Sequence, residues 1–361
     1  MNSDFDIVIV GAGPAGSTTA EHAALGGARV LVLDRKKEVG EPVACGEFMP
    51  QLDEVKAILP MAEDLEPLFD IPSSLVSRRM DLFRIFSPKP RHWDIPFQGY
   101  TTDRDRFDQH LASRAVKAGA VVRTCAQVLS VQGTEVLTRD ESYRTKVVVG
   151  ADGPISKVAR NLGLPRNADM YPAVTARASG DFEPVMEMYF GGVAPGAYAW
   201  VLPKKSGANV GVGVAPRYSG GRVGDYFQDF IKQRKLEVQG RPIGKYVPSN
   251  GPIKRTFTAS GLVVGDAAGH VMAVNGGGIP IAMICGRIAG RTVAQHLAKG
   301  TPLSLYEEQW KQQVGRPLRT AVHTKMLASL FFGGPRRLEF SMQMLGARRM
   351  GNILRCRPSF P

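Results

Sequence analysis

Cysteine is scarce in this 361-residue chain: Cys45, Cys125, Cys285 and Cys356 stand far apart, with no CxxC pair. Such spacing builds neither a metal framework nor a disulfide scaffold, and it suits a reducing compartment. No apolar run approaches the roughly 20 residues that a membrane span needs. The opening Met1-Asn2-Ser3-Asp4-Phe5-Asp6 lacks the positive region and cleavage site of a signal peptide, so a cytoplasmic protein is expected. Internal repeats and low-complexity segments are missing too, which argues against a solenoid.

Acid is in deficit: 33 Asp and Glu against 46 Lys and Arg leave a net charge of +13. Nucleic acid, an anionic membrane surface or an acidic substrate would each answer that excess, and so would plain solubility. Near the C-terminus Arg336, Arg337, Arg348, Arg349, Arg355 and Arg357 mix with Leu338, Phe340, Met342, Met344, Leu345, Met350, Ile353 and Leu354. Aromatics there are too few for base stacking, so no nucleic acid is expected. The mixture fits an interfacial element, peripheral on the inner face of an anionic membrane.

What is present reads as a globular chain, 43% apolar and 22% charged, long enough for two structural units. Residues 5–10 form an apolar run into a glycine turn, 15–25 an alanine-rich helix and 28–33 a second buried strand, together a βαβ unit with a parallel sheet. Helical spacing at 105–118 (Phe107, Leu111, Ala115, Ala118) is closed by Gly119. Strand character returns at 121–123, 127–131 and 146–149. Residues 80–98 alternate irregularly with several prolines, predicting strands of a separate antiparallel sheet. Short strands at 185–190, 197–202 and 209–214 continue it, interrupted by an amphipathic helix at 223–233. A buried strand at 262–264 and a small-residue helix over 279–297 return to the first unit. The expected division is 1–79 with 101–170 and 251–298 for a nucleotide unit, 80–100 with 171–250 for a sheet unit, and 299–361 for a C-terminal helical region.

The first motif is Gly11-Ala-Gly13-Pro-Ala-Gly16. Glycines permit a tight turn and close approach of backbone to a pyrophosphate, and the next helix turns its positive end toward the phosphates. Alone the pattern is weak; here it succeeds a strand, opens a helix and is answered by Asp34, an acid placed to bond a ribose hydroxyl. It does not choose between FAD and NAD. Two further strands end in acidic turns: Gly150-Ala-Asp152-Gly153, leading into Ser156 and Arg160, and Gly265-Asp266-Ala-Ala-Gly269. Acids at the carboxyl ends of parallel strands sit where doubly wound sheets bind ligands. A helix-capping role is the simpler reading of Asp152 taken alone.

These three motifs, in this order, resemble the fingerprints of the FAD-dependent family that holds p-hydroxybenzoate hydroxylase, the flavin halogenases and the geranylgeranyl reductases. The resemblance implies an α/β fold in which a Rossmann-like FAD-binding domain of the p-hydroxybenzoate hydroxylase type is interrupted by an antiparallel β-sheet substrate domain, with a C-terminal helical segment. It implies non-covalent FAD held by Gly11, Gly13, Ala15, Gly16, Asp34, Arg35, Cys45, Gly46, Val128, Asp152 and Gly153, with no metal. Asp266 would bond the ribityl chain, and Gly276, Gly277, Gly278 and Ile279 would bring backbone amides to the isoalloxazine edge. Asp103-Arg104-Asp-Arg-Phe107-Asp108 matches the family's D-R-x-x-F-D segment and makes Arg104 a further FAD contact.

Two segments narrow the branch. Pro42-Val-Ala-Cys45-Gly46-Glu47 resembles the Cys-Gly-Glu segment of geranylgeranyl reductases. Tyr198-Ala-Trp200-Val-Leu202-Pro203, with Gly211-Val-Gly213 beyond it, resembles their Y-x-W-x-F-P…G-x-G pattern, with leucine at 202 where phenylalanine is usual. Alternate strand residues share a face, so Tyr198, Trp200 and Leu202 point together. They could wall an isoprenoid tunnel, with Pro203, Gly211 and Gly213 beside them, or be core aromatics. The implied function is reduction of prenyl C=C bonds in a lipid or quinone by hydride transfer from reduced flavin, with NAD(P)H or ferredoxin as donor. Cys45 is the candidate proton donor; the rival reading gives it backbone contacts only. A monooxygenase or halogenase, or a non-catalytic FAD-containing lipid-binding protein, are the competing functions, and Cys-Gly-Glu favours the reductase.

Overall fold

The computed structural model describes residues 5–359. Five parallel strands form one sheet, in the order Gly261–Val263, Val147–Gly150, Ile7–Val10, Val30–Leu33, Val121–Arg123. The first four are apolar without alternation because both faces are covered. Ile7, Ile9, Val30, Val32, Val147 and Val149 join the core formed with helices Pro14–Leu25 and Ile279–Lys299. Val8, Val10, Leu31, Leu33 and Val148 face the opposite side, toward the small sheet Val128–Gln132, Glu135–Thr138, Ser142–Arg144.

The two long helices lie against each other through small residues. A Cβ on Gly286 would stand 2.6 Å from the Ala15 carbonyl oxygen, and one on Gly290 2.4 Å from that of Thr19. Any larger side chain at either position would push the helices apart.

The second sheet has eight strands, in the order Glu237–Pro248, Met170–Ser179, Ala208–Gly213, Ala199–Pro203, Met186–Tyr189, Val76–Phe86, His92–Thr102, Phe48–Pro50. Every neighbouring pair is antiparallel except Met186–Tyr189 with Val76–Phe86. Alternation assigns its two faces. Val201, Val210 and Val212 pack under helix Val223–Arg234 on Phe227 and Phe230. Trp200 and Leu202 turn the other way.

Three features differ from expectation. Strand Phe48–Pro50 joins the eight-stranded sheet although it lies within the 1–79 stretch, because the chain crosses to pair with Gly99–Thr101 directly after Glu47. Strands Met170–Ser179 and Glu237–Pro248 are not evident from sequence pattern. The latter is an edge strand, mostly exposed, so it shows little hydrophobic alternation. The third concerns the C-terminus. Residues 335–354 form a helix kinked at Gly346, and Leu338, Met342, Met350 and Leu354 are buried in the main core rather than offered to an interface. Arg355 is also drawn inward, its guanidinium bidentate on Glu54, and Arg357 bonds the Ala57 carbonyl. No helix among the described residues is long and apolar enough to cross a membrane.

Candidate active site

One cavity of about 1650 Å³ runs between the sheets. It exceeds the roughly 300–1,000 Å³ of an ordinary small-molecule site, enough for a dinucleotide and a second ligand. At one end it meets the glycine turn. Helix Pro14–Leu25 begins at Gly13 with no side-chain cap and no acid in its first turn. The amides of Gly13 and Ala15 have no partner among the described residues, so partial positive charge faces the cavity unopposed.

The three glycines divide the labour. A Cβ on Gly11 would lie 2.3 Å from the Ala151 carbonyl oxygen, and one on Gly16 1.9 Å from that of Gly11. Both are needed for the chain to pack on itself, and Gly16 does not line the cavity. A Cβ on Gly13 would meet nothing within 4 Å and would project into the cavity. The backbone there forms a cradle that a single methyl would fill. Asp34, buried beside it, accepts from the amides of Ala12 (2.7 Å) and Lys36 (2.9 Å) and retains lone pairs for a hydroxyl. Arg35 and Val128 line the same end.

Asp152 behaves differently from a ligand-binding acid. Its carboxylate accepts from Ser156 Oγ (2.6 Å) and from the amides of Lys157 (2.7 Å) and Val158 (3.2 Å), and so caps helix Lys157–Asn161. Burial raises its pKa, and those hydrogen bonds oppose the rise. The backbone at Asp152 and Gly153 lines the cavity; the side chain is committed to the helix.

At the far turn the expected amide row is only partly available. The Gly276 amide donates to the Met272 carbonyl (2.8 Å) and the Gly277 amide to Asn275 Oδ1 (2.9 Å). Those of Gly278 and Ile279, at the uncapped start of helix Ile279–Lys299, have no partner among the described residues. Asp266 stands beside this turn and pairs with Lys245 Nζ at 3.0 Å. Lys245 faces the cavity, and its pKa is raised chiefly by that carboxylate.

The Cys45-Gly46-Glu47 loop lies directly on the aromatic strand. A Cβ on Gly46 would stand 3.2 Å from Leu202 Cδ1 and 3.7 Å from Trp200 Nε1. Tyr198, Trp200 and Leu202 all line the cavity, as does Gly213; Pro203 and Gly211 do not. The last two act from behind. Pro203 accepts the Thr101 hydroxyl at 2.7 Å, and Gly211 pairs with Trp200, where a Cβ would sit 2.1 Å from the indole. Tyr198 donates to the Asn275 carbonyl, tying the aromatic strand to the far turn.

Glu47 anchors the loop. Its buried carboxylate accepts from Lys204 Nζ (2.8 Å), the Arg104 amide (3.0 Å) and Asn209 Nδ2 (2.9 Å). Lys204, equally buried, also holds Asp103 (2.8 Å), and Asn209 bonds the Cys45 carbonyl (2.8 Å) and accepts from Trp200 Nε1 (2.8 Å). Glu47 holds φ at 64°, a left-handed backbone that costs of order 1–3 kcal/mol and persists because the surroundings fix it. Arg104 forks onto Asp108 with two 2.9 Å bonds. Burial works against its charge, but Asp108 and the Cys45 thiol hold its pKa above the usual value.

Sequence reading missed Lys204, Asn209 and Lys245, which belong to no short motif. It also missed the apolar arm of the cavity, where Phe83, Ile85, Phe97, Phe332, Leu338 and Met342 meet from distant parts of the chain. Among the described residues no cluster of His, Cys, Asp and Glu is arranged to hold a metal.

Comparison with known proteins places this architecture. The family profile "Geranylgeranyl reductase catalytic domain" matches residues 172–247, and "NAD(P)-binding Rossmann-like domain" matches 9–52. A digeranylgeranylglycerophospholipid reductase of Methanocaldococcus jannaschii is 35% identical over 87% of this chain and 84% of its own length. A geranylgeranyl bacteriochlorophyll reductase-like protein from Thermoplasma acidophilum superposes with a TM-score of 0.81 at 27% identity, covering 93% of this chain and 90% of that one. A flavin-dependent brominase shares the fold alone, with a TM-score of 0.73 at 18% identity over 98% of this chain and 92% of its own. The chain belongs to the digeranylgeranylglycerophospholipid reductase family.

Proposed function

We propose that the cavity holds FAD non-covalently and that the enzyme saturates C=C bonds of a prenylated lipid or quinone. The observation that carries this reading is the continuity of one cavity, from the cradle over Gly13 to the apolar arm beyond Tyr198, Trp200 and Leu202. The free amides of Gly13 and Ala15 would hold the pyrophosphate, Asp34 the ribose, and Arg104 and Asp266 the middle of the cofactor. Reduced FAD supplies a hydride to one carbon of an isolated double bond.

The chain's own residues do the rest. Trp200 and Leu202 form a flat wall that aligns the prenyl chain, and the apolar arm removes its remaining units from water. Cys45 Sγ gives a proton to the second carbon. The Glu47 amide, 3.3 Å from the sulfur, and the Arg104 guanidinium then stabilise the thiolate left behind. Electrons come from NAD(P)H or a ferredoxin, whose acidity would match the basic surface, and the substrate is met at an anionic membrane.

Two experiments test the reading. Gly13→Ala should leave the fold and the Tm of the flavin-free protein unchanged while abolishing retention of flavin, because the added methyl fills only the cradle. Anaerobic incubation of the dithionite-reduced protein with geranylgeranyl lipids and quinones should yield products heavier by multiples of two hydrogens in mass spectrometry. Unchanged masses across that panel would refute the activity.

A further inference from the structure

The basic charge of the molecule is concentrated at one end. Residues 315–359 contain nine Lys and Arg but a single acid, Glu339, a surplus of eight out of the chain's +13. Arg355, Arg357 and Lys325 are tied inward, Lys325 to Asp169 and the Ser249 carbonyl at 2.6 Å each. Arg336, Arg337, Arg348 and Arg349 are exposed, and no carboxylate pairs with them among the described residues.

Between these arginines lies apolar surface. Met326, Leu327 and Leu330, at the end of helix Gly315–Ser329, are 63%, 44% and 67% exposed. Across the Gly333-Gly334 joint, Phe340 and Met344 on helix Pro335–Leu354 are 62% and 63% exposed. Arg336, Phe340 and Met344 are spaced one helical turn apart on the solvent side, opposite buried Leu338 and Met342. Such a run of large side chains in water is the signature of a partner surface.

The same segment borders the cavity. Phe331, Phe332, Phe340, Met344, Leu345 and Arg349 all line it, so the apolar arm reaches the surface through this patch. We propose that the joint between helices Gly315–Ser329 and Pro335–Leu354 docks on an anionic lipid bilayer and opens the apolar arm directly into the acyl layer. The inference rests on the prenyl-lipid reading and specifies where the substrate enters. Apolar side chains enter the acyl boundary while the flanking arginines meet lipid phosphates, the pattern of an interfacial element. A second copy of this chain is a poorer occupant, since an isologous contact would set the same unpaired arginines against each other.

Flotation of the flavin-loaded enzyme with vesicles tests it. The wild type should float with phosphatidylcholine vesicles containing phosphatidylglycerol, be released by salt, and bind pure phosphatidylcholine much more weakly. Arg336→Gln with Arg337→Gln should weaken binding roughly thirtyfold, at about 1 kcal/mol for each charge near the surface. Leu327→Glu with Leu330→Glu should weaken it by roughly tenfold or more. None of these four residues lines the cavity, so turnover on detergent-dispersed substrate should persist in both variants. Wild type that stays unbound, binds both vesicle types equally, or is matched in binding by either variant would overturn the proposal. So would wild type that dimerises through this patch in sedimentation. A wild type inactive in detergent would instead refute the catalytic reading, and the vesicle result would still decide this one.

Discussion

Glu47→Gln perturbs the one charged network that joins the Cys45 loop, the Arg104 helix and the aromatic sheet. Glutamine keeps the volume and can still accept from Lys204 and from the Arg104 amide through its oxygen. Its amino group, however, is set against Asn209 Nδ2, a donor that Glu47 accepts at 2.9 Å. Removing one partner of a buried pair outright costs about 3–5 kcal/mol. Lys204 keeps Asp103 at 2.8 Å as counter-ion, so the loss falls to that of one or two charge-assisted hydrogen bonds, about 2–3 kcal/mol. At roughly 2 °C per kcal/mol for a chain of this size, Tm should fall by about 4–6 °C.

The decisive assay is a double-mutant cycle with Lys204→Met, read by thermal or urea unfolding. If the network is one unit, the double variant loses less than the two single losses together, with a coupling of about 1.5–3 kcal/mol. The visible spectrum of reconstituted flavin should also change in Glu47→Gln, because Asn209 is the group that holds the Cys45 carbonyl. Additivity within about 0.5 kcal/mol and an unmoved Tm would refute the claim that this network positions the loop.

The same geometry sets three more outcomes. Cys45→Ala should bind FAD and turn over at a small fraction of the wild-type rate; wild-type turnover would remove the thiol from the chemistry. Gly211→Ala drives a methyl into the Trp200 indole, 2.1 Å away, and should cost about 1–3 kcal/mol and shift tryptophan emission. His270 is fully buried, and burial lowers its pKa to about 3. The unfolded chain therefore binds a proton near pH 6.5 that the folded chain refuses, so its contribution is present above that value and is lost as pH falls toward 3. In urea titrations wild type should lose stability from pH 6.5 to 5, and His270→Phe should flatten that slope; identical slopes would exclude His270 as its source.

Much of the fold is legible because local chemistry announces it. Uninterrupted Val, Ile and Leu at 7–10, 30–33 and 147–149 mark strands buried on both faces, and the glycine turn after the first of them opens the helix that links it to the second. The aromatic strand is equally legible, since a period of two sends Tyr198, Trp200 and Leu202 to one side. Elsewhere pattern and structure part for identifiable reasons. Asp152 stands at the end of a parallel strand like a ligand-binding acid, but the helix starting at Lys157 claims its oxygens. Gly211 sits in a binding-family motif yet serves the packing of Trp200 from behind. The C-terminal arginines and apolar residues form one interfacial stripe in sequence, and helix geometry sorts them into a buried set and an exposed set.

The amino-acid sequence by itself determined the parallel nucleotide-binding unit, the positions of its three acidic and glycine turns, and the family, because each depends on residues within a few positions of one another. Tertiary structure alone decided which of those groups face the cavity, that Glu47 meets Lys204 and Asn209, and that helices from the C-terminus complete its apolar arm. The physical reason is contact across sequence: Glu47 and Asn209 are 162 positions apart yet joined by one hydrogen bond, and no local pattern of polarity encodes a partner at that distance.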